Sequence, residues 1–145
     1  NVDMIGMGPY IQHPDTPVVE FADPLPSAAV RRDLTLRMIA LARLMMPTVN
    51  IAATTALQTL SENGLELGLL AGANVVMPNL TPLRYRENYN LYTGKVQVED
   101  SLQELLEGLS GVCRDIGRRM VTGDPGDPIH YTERMKASGD DAGIH

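Results

Sequence analysis

Three stretches of this chain are apolar on almost every residue, and helix-period segments separate them. Asp3 to Ile11 (DMIGMGPYI) is the first, Thr48 to Thr55 (TVNIAATT) the second, and Ala73 to Asn79 (ANVVMPN), stopped by Pro78, the third. Short apolar runs without alternation are the pattern of strands covered on both faces. Between the first two, Ser27 is a fair N-cap for a helix to about Met46, ended by Pro47. Leu34, Met38, Leu41 and Met45 recur at helical spacing and predict its core face. Ser61 predicts a cap for a short helix, Glu62 to Ala71, closed by Gly72. Tyr85, Tyr89 and Tyr92 mark a helical stripe. Ser101 to Met120 is a further helix, with Leu102, Leu105, Leu106, Leu109, Val112, Cys113, Ile116 and Met120 on one face. Its acids lie at the start and its bases at the end, as the helix dipole prefers.

Apolar strands alternating with helices predict an α/β fold, βαβ units around a parallel sheet. In such folds ligands are held at the carboxyl ends of the strands. That rule selects Pro9 to Asp15, Thr54 and Thr55, and Met77 to Asn79. The first segment carries the most information. It breaks at Gly8-Pro9 and continues into a loop bearing Tyr10, His13 and Asp15, with Pro14, Pro17, Pro24 and Pro26 to stiffen it and exclude a helix over 12–26. The strand begins at residue 3 with nothing upstream to pair with it, so the chain reads as part of something larger. An open three-strand sheet exposes edges and an apolar face. A homodimer, a swapped assembly, or cover from the chain's own tail is therefore expected. Residues 1–121 read as the folded portion. Residues 122–145, rich in Gly, Asp, Ser and Pro, read as a flexible tail.

Charge narrows the partners. Twelve Lys/Arg against eighteen Asp/Glu leave a net charge of −6, which argues against nucleic acid. Arg31, Arg32, Arg37 and Arg43 are the densest basic stretch and read as a solvated helical face. One cysteine, Cys113, excludes an internal disulfide and a multi-cysteine metal site within these residues. No apolar run approaches about 18 residues, so no membrane span is expected. The N-terminus lacks a signal peptide's features, and a cytoplasmic setting is expected.

The segments DMIGMGPYIQHPDTP, NIAATTAL and ANVVMPNLTPLRYRENYNLYTGK, taken in order, resemble the C-terminal half of the radical SAM maturases of FeFe-hydrogenase, the HydE type. Biotin synthase and methylornithine synthase are sister families. The resemblance implies a TIM-type (β/α)8 barrel of which this chain is the C-terminal portion, about three parallel strands with flanking helices. It implies S-adenosylmethionine and a 4Fe–4S cluster as cofactors in the parent protein. The Cys-x-x-x-Cys-x-x-Cys loop that holds the cluster is absent here. The missing N-terminal half-barrel is thus an implied partner, and the chain alone is expected to be inactive. By the same resemblance Met4 and Ile11 line the S-adenosylmethionine site. Thr54 and Thr55 bind the anion of a small carboxylate-bearing substrate, Met77 faces the cavity, and Tyr92 sits near its mouth. Thr93 stands where the family usually has Pro, and Leu80 where an aromatic is common, which leaves the substrate and the sister family open.

Each of these residues also has a quieter reading. Met4 and Met77 can be core filler, since thioethers fill irregular gaps. Thr54 and Thr55 are also simply good strand formers, and the tyrosines can pack rather than stack. Cys113 on an apolar helical face reads as core. The competing functional reading is a small non-catalytic α/β binding domain.

Overall fold

The computed structural model of the chain describes residues 2–21, 25–78, 81, 85 and 102–138. In order they form β1 (Met4–Met7), α1 (Val18–Phe21), α2 (Ala28–Met45), β2 (Asn50–Ala53), α3 (Thr55–Leu60), α4 (Gly64–Ala71), β3 (Val75–Val76), α5 (Leu102–Asp115) and α6 (Ile129–Ser138). The three strands make one parallel sheet in the order β1-β2-β3, with Met7 beside Ala53 and Ala53 beside Val76. The fold is therefore the α/β arrangement that the alternating pattern predicts.

Side chains alternate across a sheet. Ile5, Met7, Ile51, Ala53 and Val76 face the helices, where Ile39, Leu57, Leu69, Ala73 and Cys113 complete the core. Ile39, Ile51 and Leu57 are fully buried, each contributing about 2 kcal/mol by leaving water. The opposite face carries Met4, Gly6, Asn50, Ala52 and Val75 by the same alternation.

Several local expectations are corrected. The core face of α2 is Thr35, Ile39 and Ala42, one position round from the predicted stripe. Leu34 and Met45 on that stripe are 57% and 71% exposed. The helix is apolar on two adjacent faces, and the sheet accepts the one with smaller side chains because α4 packs close beside it. Thr35 tolerates burial because its hydroxyl donates to Arg31 O at 2.8 Å. A single helical turn, α1, follows Pro17; proline is compatible with a first turn, where its missing N–H would be unpaired anyway. The second strand stops at Ala53, because Thr54 turns the chain into α3, a helix the sequence reading did not contain. The short helix before Gly72 begins at Gly64 with Asn63 as its cap, not at Ser61. The long C-terminal helix ends at Asp115, not Met120. There Gly117 takes φ +71°, and Arg118 N donates to Cys113 O at 2.7 Å while Gly117 N donates to Arg114 O at 2.9 Å, which closes the helix end. Residues 129–138, inside the predicted tail, form α6.

Arg43 is not a solvated residue. Its Nε donates to Gly72 O at 2.9 Å, its Nη1 to Pro47 O and Val49 O at 2.8 Å each, and its Nη2 to Asn74 Oδ1 at 2.8 Å. Gly72 sits at φ +125°, and a Cβ there would come within 2.9 Å of the Arg43 side chain, so glycine is required twice over. Asn74 extends the network. Its Oδ1 accepts from Ile51 N, and its Nδ2 donates to Asn50 Oδ1, both at 2.8 Å. Asn50 Nδ2 then reaches Gly126 O at 2.8 Å. Burial lowers the Arg43 pKa, helped by the nearby Arg118 charge.

The helix α6 is held at the amino end of the sheet. Arg134 grips both Asp3 oxygens at 2.7 Å and lies over the Tyr131 ring at 5.3 Å. His130 Nδ1 meets Asp3 Oδ1 at 3.0 Å, and His130 N donates to Thr48 O at 3.2 Å. The Arg134 hydrogen bonds, and then that of His130, hold the Asp3 carboxyl below the usual carboxylate range.

Replacing Arg43 by Ala leaves three carbonyls and an amide without their charged donor. The expected loss is about 2–3 kcal/mol in urea unfolding, with Arg43→Lys recovering less than half, since an ammonium cannot span all four acceptors. Because the Asp3 pKa is lowered on folding, its contribution is complete above the ordinary carboxylate pKa of 3.8 and is lost as pH falls through the lower folded value. Protection of residues 129–138 against hydrogen exchange, taken relative to the intrinsic rate at each pH, should therefore fall at low pH, and at neutral pH in Asp3→Asn.

Candidate functional site

The carboxyl end of the sheet is organised around a backbone elbow. β1 ends at Met7, and Gly8 and the buried Pro9 turn the chain away. Thr54, one residue past β2, donates its hydroxyl to Met7 O at 3.3 Å. A Cβ on Gly8 would lie 2.6 Å from Thr54 Oγ1 and 3.4 Å from Ala56 Cβ. Only glycine lets the two strand ends approach this closely. Thr54 occupies the N-cap position of α3, yet its side chain makes no cap hydrogen bond and is turned instead toward the neighbouring strand.

A second tie holds the elbow further out. Arg31, in the first turn of α2, donates from Nη1 to Tyr10 O and from Nε to Pro26 O at 3.1 Å. Farther along the loop, His13 Nδ1 accepts from Asp15 N at 3.2 Å. The Asp15 carboxylate lies 3.8 Å from the same ring nitrogen.

The predicted site residues do not all lie at one level. Ile11, Thr54, Thr55 and Met77 each follow the carboxyl end of their strand. Thr54 is half-buried against the elbow, Thr55 opens α3 at the surface, and Met77 is exposed. Met4 is paired with Asn50 at the amino end of the sheet, about 10 Å back along the strand at roughly 3.3 Å per residue. Two residues on from it, Gly6 leaves open space, a Cβ there meeting nothing within 4 Å. Tyr92 lies outside the described residues. Among the described residues no group of three His, Cys, Asp or Glu side chains converges as a metal ion would need, and Cys113 is buried in the core.

Sequence reasoning missed Arg31 and the Gly8–Thr54 contact. Arg31 did carry a signal, because a cation in the first turn of a helix opposes its dipole and calls for a reason. The Gly8–Thr54 contact joins residues 46 positions apart, and no local pattern encodes it.

The pattern of the biotin and thiamin synthesis associated domain matches residues 9–109, from the elbow into α5. The chain belongs to that family. Over 96 residues, 66% of its length, it is 48% identical to the FeFe-hydrogenase maturase subunit HydE of Thermotoga maritima. It spans about a quarter (26%) of that relative's length. The family match takes in Pro9 and the loop after it, Thr54, Thr55 and Met77, and leaves Gly8, β1 and α6 outside it.

Gly8→Ala should destabilise the protein by about 1–3 kcal/mol through overpacking. Thr54→Ala in the same chain should relieve most of that loss. A double-mutant cycle by thermal unfolding reads the coupling directly.

Proposed function

We propose that this chain forms part of the S-adenosylmethionine and substrate chamber of a radical SAM enzyme in FeFe-hydrogenase maturation. The observation that carries the reading is the 48% identity to a hydrogenase maturase across two thirds of the chain. The meeting of three strand ends at one edge of the sheet supports it. In this reading Met4 and Ile11 contact S-adenosylmethionine, and Thr54 and Thr55 take the anion of a small carboxylate-bearing substrate. Met77 and Tyr92 wall the cavity.

Gly6 leaves open space where a Cβ would stand, with Ala52, itself buried, beside it in register. Thr54 can donate to a substrate carboxylate only by turning its hydroxyl away from Met7 O, so anion binding there loosens the elbow. A 4Fe–4S cluster does not fit these residues, because three thiolates are needed and the sequence has one cysteine, buried in the core. Its ligands belong to another segment. A cluster held by that other segment would supply the electron for reductive cleavage of S-adenosylmethionine, while Met4 and Ile11 would hold the adenosyl group.

The uncovered surfaces support a companion β–α unit, the remaining half of a barrel. Among the described residues no strand pairs with the outer edge of β1. The Leu34, Met38, Leu41 and Met45 stripe of α2 is exposed on its flank. Without that companion, a homodimer or swapped assembly would cover the same surfaces. No helix among the described residues is long and apolar enough to cross a membrane, and the enzyme is placed in the cytoplasm by this reading.

Reconstituted anaerobically with iron and sulfide and then reduced, the protein at its natural length should convert S-adenosylmethionine to 5′-deoxyadenosine and methionine. Cluster-loaded protein that releases no 5′-deoxyadenosine would overturn the reading.

A further inference from the structure

The first turn of α2 contains no acid, yet Arg31 closes it and Arg32 follows directly, both against the helix dipole. Arg32 is answered by Asp33 at 2.8 Å. Arg31 instead gives its guanidinium to two backbone carbonyls, Pro26 O at 3.1 Å and Tyr10 O, the second 21 residues upstream in the elbow. The helix around it is set firmly. Ser27 Oγ accepts from Val30 N at 3.4 Å, and Thr35 Oγ1 donates to Arg31 O at 2.8 Å.

We propose that Arg31 is a positioning residue for the adenosyl pocket, fixing Ile11 through the carbonyl of Tyr10. The proposal rests on the assignment of Ile11 to S-adenosylmethionine made above. The Tyr10 carbonyl and the Ile11 N–H and Cα belong to one planar peptide unit. A guanidinium that orients that oxygen therefore orients the whole plane on which the Ile11 side chain is hung. The elbow needs such a tie. Residues 8–12 make no strand ladder, and Pro9 has no N–H to offer. Met7 O is held from β2 by Thr54, and Tyr10 O is held from α2 by Arg31. These two ties bracket Gly8 and Pro9 and end one residue before Ile11.

The test uses the protein at its natural length and two probes, S-adenosylhomocysteine and 5′-methylthioadenosine, which lacks the amino-acid carboxylate. Calorimetry on Arg31→Ala should find both weakened by the same factor, about tenfold, the effect of one lost charge-assisted hydrogen bond. Arg31→Lys, able to keep one carbonyl but not both, should fall between. Amide exchange at residues 10–12 should quicken in Arg31→Lys while the interior of α2 stays protected. Equal affinity in wild type and Arg31→Ala, or unchanged exchange in Arg31→Lys, would overturn the proposal. So would weakening confined to S-adenosylhomocysteine, which would make Arg31 a direct ligand of the carboxylate. A wild-type protein that binds neither probe would instead overturn the underlying reading of Ile11.

Discussion

The guanidinium of Arg43 holds together the amino end of this sheet. A rigid fork of donors reaches acceptors on three separate stretches: the turn after α2, the glycine that ends α4, and Asn74 ahead of β3. Those carbonyls lie at the ends of elements, where no helix or ladder can satisfy them, and a buried carbonyl without a partner is costly. One charged side chain satisfies them together. It thereby sets where α2 and α4 stand relative to β2, and through Asn74 and Asn50 the network runs on to the backbone at Gly126. The Asp3–Arg134 pair adds a second anchor beside it, tying α6 to the first strand.

With the amino end fixed by side-chain cations, the carboxyl end is left to small residues and backbone. Gly6, Gly8 and Ala52 keep the strands thin there, and Thr54 bridges two strand ends through a single hydroxyl proton. That division of labour is physically sensible. The network at the amino end keeps three very short strands aligned, while the carboxyl end is left to backbone and small side chains. Strands of four, four and two residues make few ladder hydrogen bonds, so their register depends on what clamps them from outside.

The site was only partly legible in the sequence. The topology rule picked out Ile11, Thr54, Thr55 and Met77 because strand ends can be read from apolar runs and Pro/Gly breaks. Met4 came from the family resemblance, and the register puts it at the opposite end of its strand from those four residues. The stripe of α2 was misread because periodicity reports which faces of a helix are apolar but not which face the sheet accepts. Leu34, Met38, Leu41 and Met45 satisfy the same spacing rule as the true core face, one step round the helix.

By itself, then, the order of apolar and helix-period segments determined the α/β class, the parallel sheet, the cap at Ser27 and the glycine at the end of α4. These are local properties: a run of β-branched residues, a serine before a helix, a glycine where φ turns positive. Tertiary structure alone decided that Arg43 is a half-buried hub, that Arg31 holds the elbow, that Gly8 must yield space to Thr54, and that α6 docks on Asp3. Each of those joins groups distant in sequence, from 21 residues for Arg31 and Tyr10 to 131 for Asp3 and Arg134. A contact across such a span leaves no periodic trace, because its energy depends on distances set only when the chain has closed on itself.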